Sequence, residues 1–453
     1  MGILMLVLVT ATLLETRYGS SFIFSNIYHS PWFIALWTLL AISAMTYILY
    51  VSRRGTLIML HVSFAVILLG ALTSFLTSIH GNITLVKDTV PASMFTTNDG
   101  KLEKLPFSLQ VTDIDTIYSD DYKQAINYKA HIISDDKREK MTHSVSLNSP
   151  ISLKGFSFCI NGIEDGRLSL LVAHDTYGLP ISYTGYLMMF VSFMTLFFDR
   201  QSGFRNILKQ LQEEKGKKKE KENIHYKNRS YRLEWILTIP VITLCILWYK
   251  KGNFPVTNGA ESLFLLAIVM TVLAALLKHS RNFTYLSKAL IITAGATAII
   301  ALCSYEPDNG IQPILRSPLL GVHVSTIIIA YALLFCTAIN AIAALCAKNR
   351  TRKARLTLLG RAMLYPATML LATGIFIGAV WANISWGRYW GWDPKEVWAL
   401  TTLLGCSIVF HTRSLPFIAK PLFFHIYCIA IFTIMLFTYF GVNYLLGGIH
   451  SYA

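Results

Sequence analysis

The chain has 453 residues, of which 54% are hydrophobic and only 14% charged. A water-soluble globule carries nearer a quarter charged residues, so this composition describes an integral membrane protein and excludes an ordinary soluble enzyme. The net charge of +15 is topological: Lys and Arg gather at Arg53-Arg54, through 200–232 (including Lys217-Lys218-Lys219), at 348–361 and around Arg413 and Lys420, which the positive-inside rule puts on the cytoplasmic side, so no nucleic-acid partner is implied.

About 20 apolar residues cross the hydrocarbon of a bilayer. Apolar runs at 2–14, 32–51, 57–79, 183–198, 232–249, 261–278, 286–303, 319–346, 364–383, 395–412 and 421–446 predict a polytopic α-helical membrane protein of about 11 transmembrane helices. The first run is short, as an incomplete or trimmed start would be, and no cleavable signal peptide is evident. Alternation from the basic loops puts 15–31, 80–182, 250–260, 304–318, the tryptophan-rich segment and the C-terminus on the outer side.

Between the third and fourth runs, period-two alternation in Phe107-Ser-Leu109-Gln-Val111, Ile126-Asn-Tyr128-Lys-Ala130-His-Ile132 and Phe156-Ser-Phe158-Cys-Ile160 predicts strands. Residues 80–182 thus read as one small β-rich domain, a sandwich or an open sheet, on the periplasmic side. Seven cysteines include no Cys-x-x-Cys pair, and Cys159 is the one in this outer domain, so neither a disulfide framework nor thioredoxin-like exchange is expected. The chain divides into 1–199, a basic cytoplasmic linker at 200–231, and a membrane domain at 232–453. No repeat relates the halves, which argues against an inverted-repeat transporter.

The segment Trp381-Ala-Asn-Ile-Ser-Trp386-Gly-Arg-Tyr389-Trp390-Gly-Trp392-Asp393-Pro394-Lys395-Glu396 places four tryptophans and a tyrosine within twelve positions. Interfacial anchoring alone explains one or two aromatics per helix end. The higher density predicts a loop over 381–396 that presents several ring faces to a flat apolar ligand. Asp393, Pro394 and Glu396 read as N-cap, first and third positions of a helix. For Asp393, capping alone and a part in orienting the ligand both remain open. Arg388 and Lys395 read either as interfacial cations or as partners for carboxylates of the ligand.

A histidine in a membrane helix is expensive and is a functional candidate, although any single one also reads as a satisfied core residue. His323 lies about one turn inside the outer end of its helix, and His450 follows the last span on the same side as the tryptophans. His411 stands 18 residues after Asp393, about 27 Å along a helix, so it belongs to the opposite level. His61, about two turns beyond Arg53-Arg54, matches its depth. Two imidazole pairs plus an aromatic shelf suit an iron macrocycle, haem, with axial nitrogens and a covered ring face. Zinc or copper would want three or four clustered ligands.

These residues carry a resemblance. Trp386-Gly-Arg-Tyr389-Trp390-Gly-Trp392-Asp393-Pro-Lys-Glu396, with Gly-Val-His323 before it, His411-Thr-Arg413 after it and Gly441-Val-Asn443 running to His450-Ser-Tyr, resembles the WWD haem-handling family. Within it, residues 310–453 look like the CcsA component of the System II cytochrome c synthases. Residues 1 to about 200, through His61, Gly70 and an outer domain between the third and fourth spans, more loosely resemble the CcsB (ResB-like) component.

The resemblance implies a natural fusion of both components in a bacterial inner membrane, with its active face toward the periplasm. It implies that haem b is carried outward and joined by thioether bonds to the Cys-x-x-Cys-His motif of an apocytochrome c. His61 and His411 would ligate haem in the membrane, and His323 and His450 would ligate it at the outer site. Trp381, Trp386, Tyr389, Trp390, Trp392 and Asp393 would cradle the porphyrin. Catalysis would rest on placement, with no catalytic residue apart from those that position haem. Thiol-reducing proteins would be further partners beside the apocytochrome and the bilayer. Two other readings stay open: a haem exporter or chaperone serving a separate synthase, and a bis-histidine cytochrome b-type electron carrier.

Overall fold

The computed structural model describes residues 1–51, 54–118, 125–136, 139–164, 166–219, 246, 256, 258–278, 283–305 and 313–446. Most of the span expected at 232–249, and His450, lie outside the described residues. The described helices of fifteen residues or more are α1 (Gly2–Tyr18), α2 (Pro31–Val51), α3 (Gly55–Thr77), α4 (Gly178–Phe198), α5 (Gly203–Lys219), α6 (Gly259–Lys278), α7 (Thr284–Cys303), α8 (Pro318–Leu345), α9 (Arg350–Trp386), α10 (Pro394–Ile408) and α11 (Pro421–Leu436). A π-helical stretch, Phe437–Leu446, continues α11.

Among the described residues, eight helices are long and apolar enough to cross a membrane. The runs expected at 2–14 and 395–412 are the shorter α1 and α10, of 17 and 15 residues. The chain is therefore a multi-span membrane protein. Its basic connections Arg54, 199–203, 346–350 and 411–420 gather at one end, where Arg54 donates to the Gln201 carbonyl at 2.7 Å and Arg361 to that of Ala419 at 3.2 Å. The β domain and the aromatic segment occupy the other.

Eight strands, β1 (Ile79–Val86), β2 (Ala92–Thr97), β3 (Leu102–Tyr118), β4 (Ala125–Asp135), β5 (Lys140–Ser146), β6 (Ile151–Leu153), β7 (Phe156–Glu164) and β8 (Arg167–His174), form one antiparallel sheet ordered β5-β4-β3-β2-β1-β8-β7-β6. Alternate residues of β1 and β3 are buried, as a one-faced strand requires. The sheet curls until β5 meets β6 and β7. Phe107, Leu109, Ile132, Phe158 and Leu170 fill its interior. The alternatives of sandwich and open sheet thus resolve into a single curled sheet.

Small residues let α3 and α4 approach closely, since a Cβ on Gly70 would strike Ser182 and one on Gly178 would strike Ser74. Gly185 meets the Ile67 backbone nitrogen in the same way, at 2.9 Å. The hairpin of α8 and α9 has a similar seam, with Gly374 against Ile327 and Gly378 against His323.

Two expectations need correction. Helix α9 runs unbroken for 37 residues, from inside the basic stretch 348–361 to Trp386. The predicted run covered only 364–383, and the loop predicted over 381–396 shrinks to 387–393. The basic end holds because the Asn349 side chain caps it, accepting from the Thr351 and Arg352 backbone. The aromatic end holds because its polar groups find partners in the β domain. Ser385 donates to Asn148 Oδ1 at 2.6 Å, and the Cys159 thiol donates to the Ile384 carbonyl at 3.5 Å. Within the segment 200–231, read from sequence as a basic linker, α5 is helical over Gly203–Lys219.

Candidate functional site

At the basic end, His61 of α3 and His411, just past the end of α10, come together with ring centroids 6.1 Å apart and planes at 77°. Each Nδ1 is engaged with a carbonyl one turn back, Leu57 at 2.8 Å for His61 and Ser407 at 2.9 Å for His411. Donation from Nδ1 leaves the lone pair on Nε2, the tautomer a metal ligand needs. Two metal–imidazole bonds of about 2 Å, plus the distance of about 1 Å from each ring centre to its nitrogen, require a separation of about 6 Å. Among the described residues no three His, Cys, Asp or Glu side chains converge, so this is a two-imidazole arrangement.

At the opposite level, His323 sits one turn and a half into α8. Its Nδ1 pairs with the Gly374 carbonyl of α9 at 2.6 Å, and its ring lies over Gly378, where a Cβ would approach Cε1 to 2.6 Å. The ring borders a cavity of about 190 Å³ that Tyr389, Trp390, Trp381, Lys395, Glu396 and Asn443 also line. Lys395 donates to Asn443 Oδ1 at 2.9 Å, which ties the start of α10 to the π-helical wall. His450, expected opposite His323, lies outside the described residues.

The six aromatic-segment residues divide into groups. Trp381 is almost fully buried and packs edge-on with Trp386 at 4.9 Å, over Leu315 and Leu320. Tyr389 and Trp390 line the cavity. Trp392 does not: it turns away and stacks on Tyr28, at 4.6 Å and 11°, with Phe33 edge-on at 5.3 Å. Asp393 is buried and is the N-cap of α10.

The connection between these groups is tightly constrained. Gly387 ends α9 at φ 69°, a left-handed conformation that glycine adopts without a Cβ clash. Trp392 holds φ 54°, which costs a bulky residue free energy and persists only where its surroundings fix it. Here they do, because the Glu396 carboxylate accepts from the backbone of Gly391 at 2.8 Å and Asp393 at 3.3 Å while Tyr28 holds the indole. Burial keeps the Tyr389 phenol above its ordinary range, with hydrogen bonds to Ser182 and Ser74 offsetting part of that rise, so the group remains a neutral donor.

Sequence reasoning missed Tyr28, Phe33, Ser74, Asn148, Ser182 and Gly378. A signal existed for the seam, since Gly70 and Ser74, and Gly178 and Ser182, are small residues spaced by four. Nothing in the composition of 15–31 marks Tyr28 as a partner of Trp392.

Comparison with known proteins gives two matches that meet in this structure. Residues 256–450 match the family described as cytochrome C assembly protein, and residues 49–177 match the ResB-like family. The chain is 32% identical over 233 residues to protein NrfI of Wolinella succinogenes, covering 49% of this chain and 26% of that protein. It is 34% identical over 232 residues to the cytochrome c biogenesis protein CcsA of Chlamydomonas reinhardtii, covering 47% of this chain and 64% of that one. With CcsA of Solanum tuberosum it shares 31% identity over 261 residues, 48% of this chain and 83% of that one. It therefore spans only about a quarter of NrfI, and just under two thirds of the algal protein.

Proposed function

We propose a haem-attaching function on one premise: this chain belongs to the CcsA family of cytochrome c biogenesis proteins, here joined to a ResB-like part in one polypeptide. The substrate is haem, b-type before attachment, and the acceptor is an apocytochrome c with a Cys-x-x-Cys-His motif. His61 and His411 take haem at the cytoplasmic level of a bacterial inner membrane, and His323 with His450 holds it at the periplasmic level. Trp381, Trp386, Tyr389, Trp390, Trp392 and Asp393 shape and support the outer seat.

The observation that carries this reading is the meeting of His61 and His411, 6.1 Å apart, from segments matched to two different families. A purely structural histidine has no need of a second imidazole at the distance one iron would set. At the outer level, the cavity of about 190 Å³ is smaller than the roughly 300–1,000 Å³ of ordinary ligand pockets. A porphyrin on His323 therefore displaces a wall, and the π-helical Phe437–Leu446, a form concentrated at functional sites, is the wall built to give.

The chemistry asked of the protein is placement. Each substrate thiol adds across one vinyl group of haem; a C–S bond forms at one carbon, the proton ends on the other, and no net oxidation occurs. The thiols come from the apocytochrome, which agrees with a Cys159 thiol raised by burial to about 12.

The test is expression of the whole chain, with a c-type apocytochrome, in a bacterium stripped of its own maturation genes. Denatured gels stained for covalent haem are expected to show the cytochrome. With both proteins well expressed, an unstained cytochrome overturns the synthase reading in favour of an exporter that presents haem to another enzyme.

A further inference from the structure

Tyr389 lines the cavity, and its hydroxyl reaches into the seam between α3 and α4. It donates to Ser74 Oγ of α3 at 3.0 Å and accepts from Ser182 Oγ of α4 at 3.2 Å. Ser74 in turn donates to Asp175 Oδ2 at 2.5 Å. The other oxygen of Asp175 accepts from the backbone of Gly178 at 2.9 Å and Leu179 at 3.2 Å, the first turn of α4. Ser74, Ser182 and Tyr389 are all buried, Ser182 completely. The seam that holds the two serines exists only because Gly70 and Gly178 leave room for them.

From this geometry we infer that Tyr389 is a positioning residue: its hydroxyl is the bolt by which the ResB-like half sets the position of Trp390 and the outer cavity. The inference rests on the proposed outer seat for what it positions, but the bolt itself is independent of haem. Tyr389 is adjacent to Trp390 in sequence, and its ring packs with Ala379, the neighbour of the Gly378 on which His323 lies. A shift of the phenol therefore moves one wall of the cavity relative to the imidazole. A buried hydroxyl with a donor on one side and an acceptor on the other is directional, whereas the apolar packing around it tolerates sliding. The outer seat is thus complete only when both halves are assembled.

Two readouts on the full-length protein separate the bolt from the haem reading. In haem-free protein, hydrogen exchange of the amides of 387–393 is expected to rise about tenfold in Tyr389→Phe, which keeps the ring. Ser74→Ala, which keeps the phenol, should give a similar rise, and the double variant a rise well below the product of the two, because the Tyr389–Ser74 hydrogen bond is lost in each. Unchanged exchange in both single variants, or effects that multiply in the double, overturns the inference. In a His61→Ala/His411→Ala background, haem loaded into the protein reports the outer seat alone. There Tyr389→Phe is expected to lower the low-spin fraction about tenfold; an unchanged spectrum also overturns it. If the parent of that background binds no haem, the proposed outer seat fails while the exchange result stands.

Discussion

His61 with His411, and His323 with the aromatic segment, are held in place by different means. At the inner level, His61 and His411 are oriented by their own helix carbonyls, and each half of the chain brings one imidazole. At the outer level, His323 is oriented by a neighbouring helix, seated on a glycine, and faced by a connection with a non-glycine residue at φ 54°. The first arrangement needs only two helix ends at the right distance. The second needs Tyr28, Ser74, Asn148, Cys159 and Ser182 from the N-terminal half to fix where the aromatic segment lies. Under the proposed function the difference has a use: a transit site can be loose, because haem must leave it, whereas an attachment site must hold one face of the ring toward an incoming peptide.

The sharpest way to break this contrast is to remove one imidazole at each level. His323→Ala is expected to cut covalent attachment by about a hundredfold or more, the upper range for disturbing even a ligand's supporting partner. His411→Ala should lower total bound haem while added imidazole restores product, since a transit ligand can be replaced from solution. Equal losses with equal rescue at the two levels would erase the distinction. Gly378→Ala probes the same difference more gently. Its Cβ would meet the His323 ring at 2.6 Å, so outer occupancy should fall about tenfold with the inner spectrum unaltered. Loss at both levels would instead mean that α9 as a whole had shifted.

How much of this was readable in advance follows the physics of each feature. Hydrophobic run length marked most helices, because an apolar stretch in a bilayer has few alternatives to helix. Depth counting put His61 and His411 at one level, since both positions are fixed by helix rise. The sequence alone reads residues 381–386 as loop, because Ser385 looks like a helix breaker until Asn148 accepts from its hydroxyl and Cys159 reaches the Ile384 carbonyl, each from more than 200 residues away. Long-range partners of that kind leave no periodicity behind. The stacking of Tyr28 on Trp392 is invisible for the same reason: neither residue's neighbours in sequence say which aromatic it will meet.

That stack gives a smaller prediction. An offset-stacked aromatic pair contributes about 1 kcal/mol beyond its buried area. Tyr28→Ala should therefore raise hydrogen exchange at 391–393 about fivefold, at the usual tenfold per 1.4 kcal/mol. It should leave the inner histidine spectrum unchanged. No change in exchange would show that Glu396 alone is enough to hold Trp392 in its left-handed conformation.

The smallest expected effect concerns Cys159, where β7 meets the end of α9. Burial raises its thiol from an ordinary 9.0 to about 12, the hydrogen bond with Gly387 offsetting part of that rise. A group whose folded value lies above its unfolded one retains its proton better when folded, so docking is fully stabilised below pH 9 and weakens as the pH climbs toward 12. At pH 8 the buried thiol is almost wholly protonated, and the Gly387 and Ile384 backbone covers the sulfur. Maleimide labelling of Cys159, followed by mass spectrometry of its peptide, should be slow at pH 8 and accelerate above pH 9. It should also accelerate in Asn148→Ala, which removes the neighbouring tie to Ser385 and Ile314. Rapid labelling at pH 8 in the unaltered chain would mean that the β domain leaves the aromatic segment often. In that event the outer site is no more firmly held than the inner one, and the contrast between them fails.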